Sequence, residues 1–128
     1  MKRRYDSGTK WEKSVGYSRA IRYGNTIEVS GTTAVVDGEV VGKGDAYLQS
    51  KAIFSKIEQA INALGGQIDD VIRTRMYVVN IEDSEDVCRA HAERFSEIKP
   101  AATLVEISKL IDENLLVEIE ATAVLDHV

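Results

Sequence analysis

A chain of 128 residues with 44% hydrophobic and 29% charged residues is long enough to bury a core, and its length fits one domain spanning residues 1–128. Its net charge of -5 does not favour nucleic acid as a partner, because affinity for nucleic acid comes mainly from Lys and Arg neutralising phosphates. Cys88 is the single cysteine, which excludes an internal disulfide and fits a reducing, cytoplasmic location.

The first third of the chain predicts a tail followed by turns of β-structure. Residues 1–10 carry the basic run Lys2-Arg3-Arg4 and are expected to form a flexible tail, with no apolar segment behind them to span a membrane. Residues 19–22 and 26–31 flank Tyr23-Gly24-Asn25, which predicts a β-hairpin. A second, small hairpin is predicted to turn on Asp37-Gly38.

Two helices are predicted further along. Asp45 is the expected N-cap of the first, which ends at Gly65-Gly66. Asp83 is the expected N-cap of the second, which precedes Pro100. Apolar residues recur at helical spacing in both. The predicted buried stripe of the first helix comprises Leu48, Ala52, Ile53, Ile57, Ala60, Ile61 and Leu64. The residues that follow at helical spacing in the second helix are Val87, Ala90, His91, Arg94, Phe95 and Ile98.

Three further strands are predicted, over residues 71–79, 99–107 and 116–123. The first alternates Ile72, Thr74, Met76 and Val78 with Val71, Arg73, Arg75 and Tyr77. The last alternates Val117, Ile119, Ala121 and Ala123 with Glu118, Glu120 and Thr122. The predicted order is ββαβαββ, an α+β fold with a mixed sheet. Two helices cover one sheet face only, so the face bearing the Arg and Glu sets needs water or a second copy of the chain as cover.

Residues 14–125 resemble the reactive-intermediate deaminase family, also called Rid or YjgF and once labelled translation inhibitors or endoribonucleases. The resemblance rests on Gly16-Tyr17-Ser18, Val29-Ser30-Gly31, the segment from Lys99 to Ile107 and the run Val117-Glu118-Ile119-Glu120. It implies a chorismate-mutase-like α+β protomer and a homotrimer with ligand clefts between subunits. It also implies hydrolysis of imines or enamines such as 2-aminoacrylate to a keto acid and ammonia, without cofactor or metal.

The resemblance assigns roles to several positions. Glu118 matches the carboxylate that positions water, and Tyr17 matches the aromatic residue that closes the pocket. Ser30 and Gly31 match positions whose backbone contacts the ligand. Ala102 stands where the family has its substrate-binding Arg, and an alanine side chain cannot hold a carboxylate.

Two further positions depart from the family pattern and alter the expected pocket. Cys88 replaces an Asn on the second helix, and Leu104 replaces a small residue, so the resemblance implies a different ligand. Cys88 and His91, three residues apart, and His127 are too few and scattered for a closed zinc site. Cys88 fits an inert small apolar residue, and His91 a hydrogen-bonded histidine beside the core.

A substitute for the missing cation would come from Arg75 first, with Arg73 and Arg19 as the other candidates. The competing interpretation is structural: Arg73 and Arg75 would pair with Glu118 and Glu120 across subunits, because charges on a buried sheet face need partners. Tyr17 would then be an interface aromatic.

Three functions follow as hypotheses. The first is an imine or enamine hydrolase with Glu118 as the catalytic residue. The second is a trimer that binds a small metabolite in the same cleft without catalysis, which the loss of the family Arg favours. The third is a ribonuclease, against which the acidic composition argues.

Overall fold

A mixed β-sheet of six strands forms the frame of the protein, and the computed structural model describes residues 1–126. The strands lie in the order β1-β2-β3-β8-β6-β7, and only β6 and β7 run parallel to each other. Their bounds are β1 Lys2–Tyr5, β2 Ala20–Tyr23, β3 Thr26–Thr32, β6 Val71–Val78, β7 Ala101–Glu106 and β8 Val117–Val124. The short strands β4 Val35–Val36 and β5 Glu39–Val40 form the predicted hairpin on Asp37-Gly38.

The N-terminal segment differs from the predicted tail. Residues Lys2–Tyr5 form the edge strand β1, which pairs antiparallel with β2. A short helix, α1 Lys10–Val15, follows and is capped by the Thr9 side chain. The expectation of a tail over residues 1–10 is therefore corrected. A charged, polar run carries no apolar alternation to reveal a strand, although charged residues are typical of sheet edges.

The first long helix, α2 Ala46–Ala63, begins and ends where predicted. Asp45 accepts a hydrogen bond from the Leu48 backbone amide at 3.0 Å, and Gly65 follows the helix with a φ of +92°. Leu48 itself is 48% exposed, against expectation. Gln49 is buried instead, and its side-chain amide donates to the Gly42 and Asn114 carbonyls, so the first turns of α2 face loop backbone rather than apolar core.

The second long helix, α3 Ser84–Phe95, begins after a 3₁₀ turn over Ile81–Asp83. Asp83 makes no capping hydrogen bond, so its predicted capping role is wrong. Asn80 caps the preceding turn instead by accepting from the Glu82 amide at 2.9 Å. The extra turn displaces the polar cap three residues upstream of Asp83.

The helices cover one face of the sheet. The apolar residues of β8, Val117, Ile119, Ala121 and Ala123, are all buried there as predicted. In β6 the predicted alternation holds from Thr74 onward, but Val71 is buried and Ile72 is 51% exposed. The pairing of β6 with β8 shifts register between Val71 and Arg73, and such a bulge reverses the faces of the residues on one side of it.

The opposite sheet face carries polar and charged side chains and is called the open face below. It comprises Glu28, Arg73, Arg75, Tyr77, Glu118, Glu120 and Thr122, all at least partly exposed. Among residues 1–126, no helix is both long enough and apolar enough to cross a membrane.

Candidate active site

A cleft of about 1000 Å³ opens at one end of the sheet, where four parts of the chain converge. The segment around α1, the end of β3, the β4–β5 hairpin and the loop after β7 line it, with single side chains from β1 and β8 and two, Lys56 and Gln59, from α2. Its polar lining includes Tyr17, Arg19, Lys56 and Glu118, and its apolar lining includes Trp11, Val36, Val40, Ile111 and Leu115.

Glu118 projects into this cleft because strand alternation sends Val117 and Ile119 into the core and the residue between them to the other side. Its side chain is half-buried. Burial raises the pKa of Glu118, the neighbouring Glu120 raises it further, and Arg19 opposes both effects. A carboxylate in this setting is a stronger base than one in water, which favours its use in proton transfer.

Gly31 lies against the Glu118 carboxyl group. The pairing of β3 with β8 shifts register between Val29 and Thr32, and Gly31 sits inside that irregularity. A Cβ atom at position 31 would stand 2.7 Å from Glu118 Oε2. The absence of a side chain at Gly31 therefore provides the space that the carboxyl group occupies.

Ser30 holds this part of β3 in place through its own hydrogen bonds. Its hydroxyl donates to the Ser18 carbonyl at 2.7 Å, and its amide donates to the Arg19 carbonyl at 3.0 Å. The Ser30 hydroxyl is thus engaged with backbone, and Ser30 does not line the cleft.

Arg19 is a buried cation beside the cleft, with 7% exposure. Its guanidinium donates to Glu12 Oε2 at 3.3 Å, to the Gly31 carbonyl at 2.6 Å, to Thr32 Oγ1 at 3.2 Å and to the Tyr17 hydroxyl at 3.0 Å. Arg19 therefore ties α1, β3 and Tyr17 together, and most of its donors are occupied.

Glu12 is a charged residue that the sequence analysis overlooked. It is 3% exposed and accepts hydrogen bonds from Ser7, Thr9 and Arg19. Burial alone would raise the pKa of Glu12, but the hydrogen bonds outweigh burial and lower it to about 2. The sequence did carry a signal for Glu12: a Thr followed three residues later by a Glu, as in Thr9 and Glu12, is the pattern of a capping box.

Lys56 is the second overlooked residue. It projects from α2 into the cleft, and its ammonium donates to the Thr33 carbonyl at 2.8 Å and the Val35 carbonyl at 2.7 Å. Burial and the nearby Arg19 lower the pKa of Lys56 to about 8, while Glu12 acts in the opposite direction. The signal in the sequence was the position of Lys56 in α2, next to residues such as Ile57 that were predicted to be buried.

Arg75, the first-ranked substitute cation, lies on the open face and does not line the cleft of its own protomer. Its Nε is 3.8 Å from Glu120 Oε1, which also accepts a hydrogen bond from the Tyr77 hydroxyl at 3.1 Å. Arg73 donates to Thr103 Oγ1 at 2.6 Å. The arginines therefore have partners within one protomer, and a ligand role for Arg75 stays a prediction.

The remaining predicted site residues lie elsewhere in the protomer. Ala102 and Leu104 lie on the edge strand β7, where they pair with Thr74 and Met76 of β6. Leu104 is partly buried against the core. Cys88 is exposed on α3. Of the predicted set, the structure brings Tyr17, Gly31 and Glu118 together in one cleft.

His91 does not line this cleft. His91 Nε2 lies 2.9 Å from Thr74 Oγ1 beneath α3, which confirms the hydrogen bond predicted for it. His127 lies outside the described residues.

The chain belongs to the family described as endoribonuclease L-PSP, whose model matches residues 9–125. This match and the solved relatives confirm the resemblance to the Rid/YjgF family and the chorismate-mutase-like α+β fold. The crystal structure of Rv2704 from Mycobacterium tuberculosis, a member of the YjgF/YER057c/UK114 family, superimposes with a TM-score of 0.89 at 38% identity, and the match covers 98% of this chain and 100% of that one.

Two curated proteins extend this relationship. The uncharacterized protein SCO2049 of Streptomyces coelicolor is 40% identical over 121 residues, which cover 94% of this chain and 90% of that protein. The 3-aminoacrylate deaminase RutC of Acinetobacter baylyi is 28% identical over 108 residues, covering 84% and 85%. The family thus includes proteins named as deaminases at lower identity.

Proposed function

We propose that this protein hydrolyses an imine or enamine of a small metabolite, with Glu118 as the catalytic residue. The observation that carries the proposal is the Glu118 carboxyl group, half-buried in a cleft that it shares with Tyr17 and Arg19. Burial raises the pKa of Glu118 above its ordinary value, which makes the carboxylate a stronger base. The deaminase name of a family relative supports the same reaction class.

The proposed reaction needs only water and one proton-transfer group. Ionised Glu118 accepts a proton from water while the water oxygen bonds to the carbon of the protonated imine (C=NH2+), which gives a neutral tetrahedral amino alcohol. Glu118 then returns that proton to nitrogen. The C–N bond breaks, ammonia leaves, the hydroxyl proton passes to solvent and a ketone or aldehyde remains. An enamine first takes a proton from solvent at carbon and thereby becomes the protonated imine.

We further propose that the working form is a homotrimer, in which a neighbouring protomer completes each cleft. Support comes from the open face, whose charged side chains are all at least partly exposed in the single protomer. A trimer would bury Arg75, Glu118 and Glu120 near a subunit boundary. Light scattering tests this directly, and the expected mass is about three times the 14.1 kDa of one chain.

The test of the reaction is hydrolysis of freshly generated imines by wild type and Glu118→Gln. Glutamine keeps the shape of the side chain but cannot accept the proton, so kcat is expected to fall by about 10²- to 10⁴-fold. Glu28→Gln is the matched control, because Glu28 lies on the same sheet face, hydrogen-bonds Thr122 and does not line the cleft. Equal rates for wild type and Glu118→Gln would refute the catalytic role.

The alternative function is binding of a small metabolite without catalysis. Ala102 favours this alternative, since it removes the cation that the family uses to hold substrate. Binding with no turnover across the imine panel would establish it. The family name also contains the word endoribonuclease, but a net charge of -5 argues against affinity for RNA.

A further inference from the structure

Lys56 is a cation in the cleft without a carboxylate partner. Among residues 1–126, no carboxylate oxygen lies within 4.0 Å of its Nζ. Two neutral carbonyls, those of Thr33 and Val35, accept two of its three N–H donors. One donor and a full positive charge are left on a side chain that lines the cleft.

The other cations of the cleft are less suited to hold an anion. The charge of Arg19 is balanced by Glu12 at 3.3 Å, and its remaining hydrogen bonds tie it to Tyr17, Gly31 and Thr32. Lys10 is exposed to solvent, which screens its charge. Lys56 therefore combines partial burial, an available donor and an uncompensated charge.

We propose that Lys56 binds the carboxylate of a 2-imino acid substrate, and of the 2-oxo acid product, in the cleft that it shares with Glu118. This inference rests on the proposed function, which supplies the reaction class. The two carbonyl bonds fix the ammonium in position, so less side-chain entropy is lost when the anion binds. Glu118 then acts on a C=N carbon next to a carboxylate that is already held.

The protonation of Lys56 provides a signature of this contact. With a pKa lowered to about 8, a sizeable fraction of the amines is neutral at pH 8, and a bound anion favours the charged form. Binding of an anion should therefore take up protons from buffer at that pH. The other charged groups that line the cleft or act on Lys56 are Lys10, Glu12, Arg19, Asp37, Asp112 and Glu118.

The test is calorimetric binding of 2-oxobutanoate and of its uncharged amide. Wild type is expected to bind the carboxylate roughly tenfold more tightly than the amide at pH 7. Lys56→Gln should lose this preference, with affinity for the amide changed by less than about twofold. Lys51→Gln is the control, because Lys51 is an exposed lysine of the same helix and lies outside the cleft.

A second variant separates anion binding from support of the hairpin. Lys56→Arg keeps a cation that stays charged at pH 8, so it should retain the preference for the carboxylate and abolish proton uptake. At protein concentrations where light scattering shows that it remains trimeric, Arg75→Ala should retain both the carboxylate preference and the proton uptake. Three results would overturn the proposal. Wild type could bind the carboxylate and the amide equally well, Lys56→Gln could lose affinity for both ligands equally, or Arg75→Ala could be the one variant that loses the preference for the carboxylate.

The outcome is independent of catalysis. Turnover of 2-iminobutanoate is measured separately on the same variants. Binding through Lys56 without turnover would refute the proposed hydrolysis and uphold the carboxylate site. Turnover combined with ligand binding that does not depend on Lys56 would uphold the hydrolysis and refute the carboxylate site.

Discussion

Gly31 and the Glu118 carboxyl group occupy adjoining space, so that a methyl group at position 31 would lie 2.7 Å from Glu118 Oε2 and 2.9 Å from its Cδ. The two residues come from the paired strands β3 and β8, at the shift in their register. The irregular pairing and the missing side chain together determine where the carboxyl group lies. The candidate site is therefore sensitive to a single added methyl group.

Gly31→Ala should impair function far more than stability. The clash involves the far end of a flexible side chain, which can rotate away, so the free energy of unfolding should change by about 1 kcal/mol or less. Displacement of the carboxyl group by about 1 Å should lower kcat/KM for imine hydrolysis by about 10²-fold. Thermal unfolding and imine kinetics on the same preparation measure both effects.

Gly66→Ala provides the opposite case and serves as control. A methyl group there would meet Ile61 Cγ2 at 2.9 Å and Ile27 Cδ1 at 3.0 Å in the core. Overpacking should cost about 1–3 kcal/mol while turnover of the folded protein is kept. If Gly31→Ala were instead the less stable variant with normal kinetics, the link between Gly31 and the site would be refuted.

Glu118→Gln should raise stability at neutral pH while it abolishes activity. The pKa of Glu118 is raised in the folded state by burial and by Glu120, so ionisation of Glu118 destabilises the fold as pH rises above about 4.5, the ordinary value. Glutamine carries no such charge. The variant should therefore gain stability relative to wild type between pH 4 and pH 7, as followed by chemical denaturation.

The same experiment distinguishes catalysis from an ion-pair role for Glu118. If Glu118 were held by a structural cation, removal of its charge would lower stability at pH 7. Glu28→Gln, on an exposed glutamate of the same face, supplies the baseline for loss of one carboxylate.

Much of the fold followed from local patterns. The alternation of β8 predicted its buried face correctly, and Asp45 and Gly65 marked the ends of α2 because capping acts within a few residues. The errors arose where a pairing partner that is distant in sequence determines the local structure. The edge strand β1 exists because β2 offers it hydrogen bonds, and Ile72 is exposed because a bulge forms only when β6 pairs with β8.

The site was less predictable than the fold for the same reason. Tyr17, Gly31 and Glu118 were assigned through resemblance, and the structure places them in one cleft. Lys56 and Glu12 were missed, since their importance depends on contacts that no periodic pattern reveals. Lys56 binds the Thr33 and Val35 carbonyls, which are distant in sequence, and Glu12 binds Arg19 across the turn that follows α1. A helical pattern reveals a lysine but not the cleft it faces.

The Glu12–Arg19 pair should make stability depend on acid. Hydrogen bonds from Ser7 and Thr9 overcome burial and lower the pKa of Glu12 to about 2, against 4.5 ordinarily. The stabilisation is complete above about pH 4.5, is lost as pH falls toward 2, and amounts to roughly 3 kcal/mol. Denaturation across that range should show the loss in wild type.

Glu12→Gln should flatten this part of the pH profile. At pH 7 the variant should be less stable than wild type by about 3–5 kcal/mol, because Arg19 is left buried without its counter-ion. Asp86→Asn, which removes the carboxylate of an exposed pair with Arg89, is the control and should change stability by less than about 1 kcal/mol. If Glu12→Gln lost stability between pH 4.5 and 2 as wild type does, the pH dependence would belong to other groups.

Arg75→Ala should weaken assembly more than it weakens the protomer. In one protomer the Arg75–Glu120 pair is 3.8 Å long with side chains 42% and 35% exposed, and such pairs contribute less than about 1 kcal/mol. In the proposed trimer the open face loses water, so Glu120 without Arg75 would be a buried, uncompensated charge. Light scattering over a dilution series should therefore show dissociation at higher protein concentration than in wild type.

Arg89→Ala separates assembly from the general loss of an arginine. Arg89 stacks 3.7 Å from the centroid of the Tyr47 ring on the helical side of the protein, away from the open face, so its loss should leave the mass unchanged. An Arg75→Ala protein that remains trimeric but no longer discriminates carboxylates from amides would place Arg75 in the ligand site. Loss of assembly with discrimination kept in the residual trimer would instead assign Arg75 to the subunit boundary and leave Lys56 as the cation that holds the ligand.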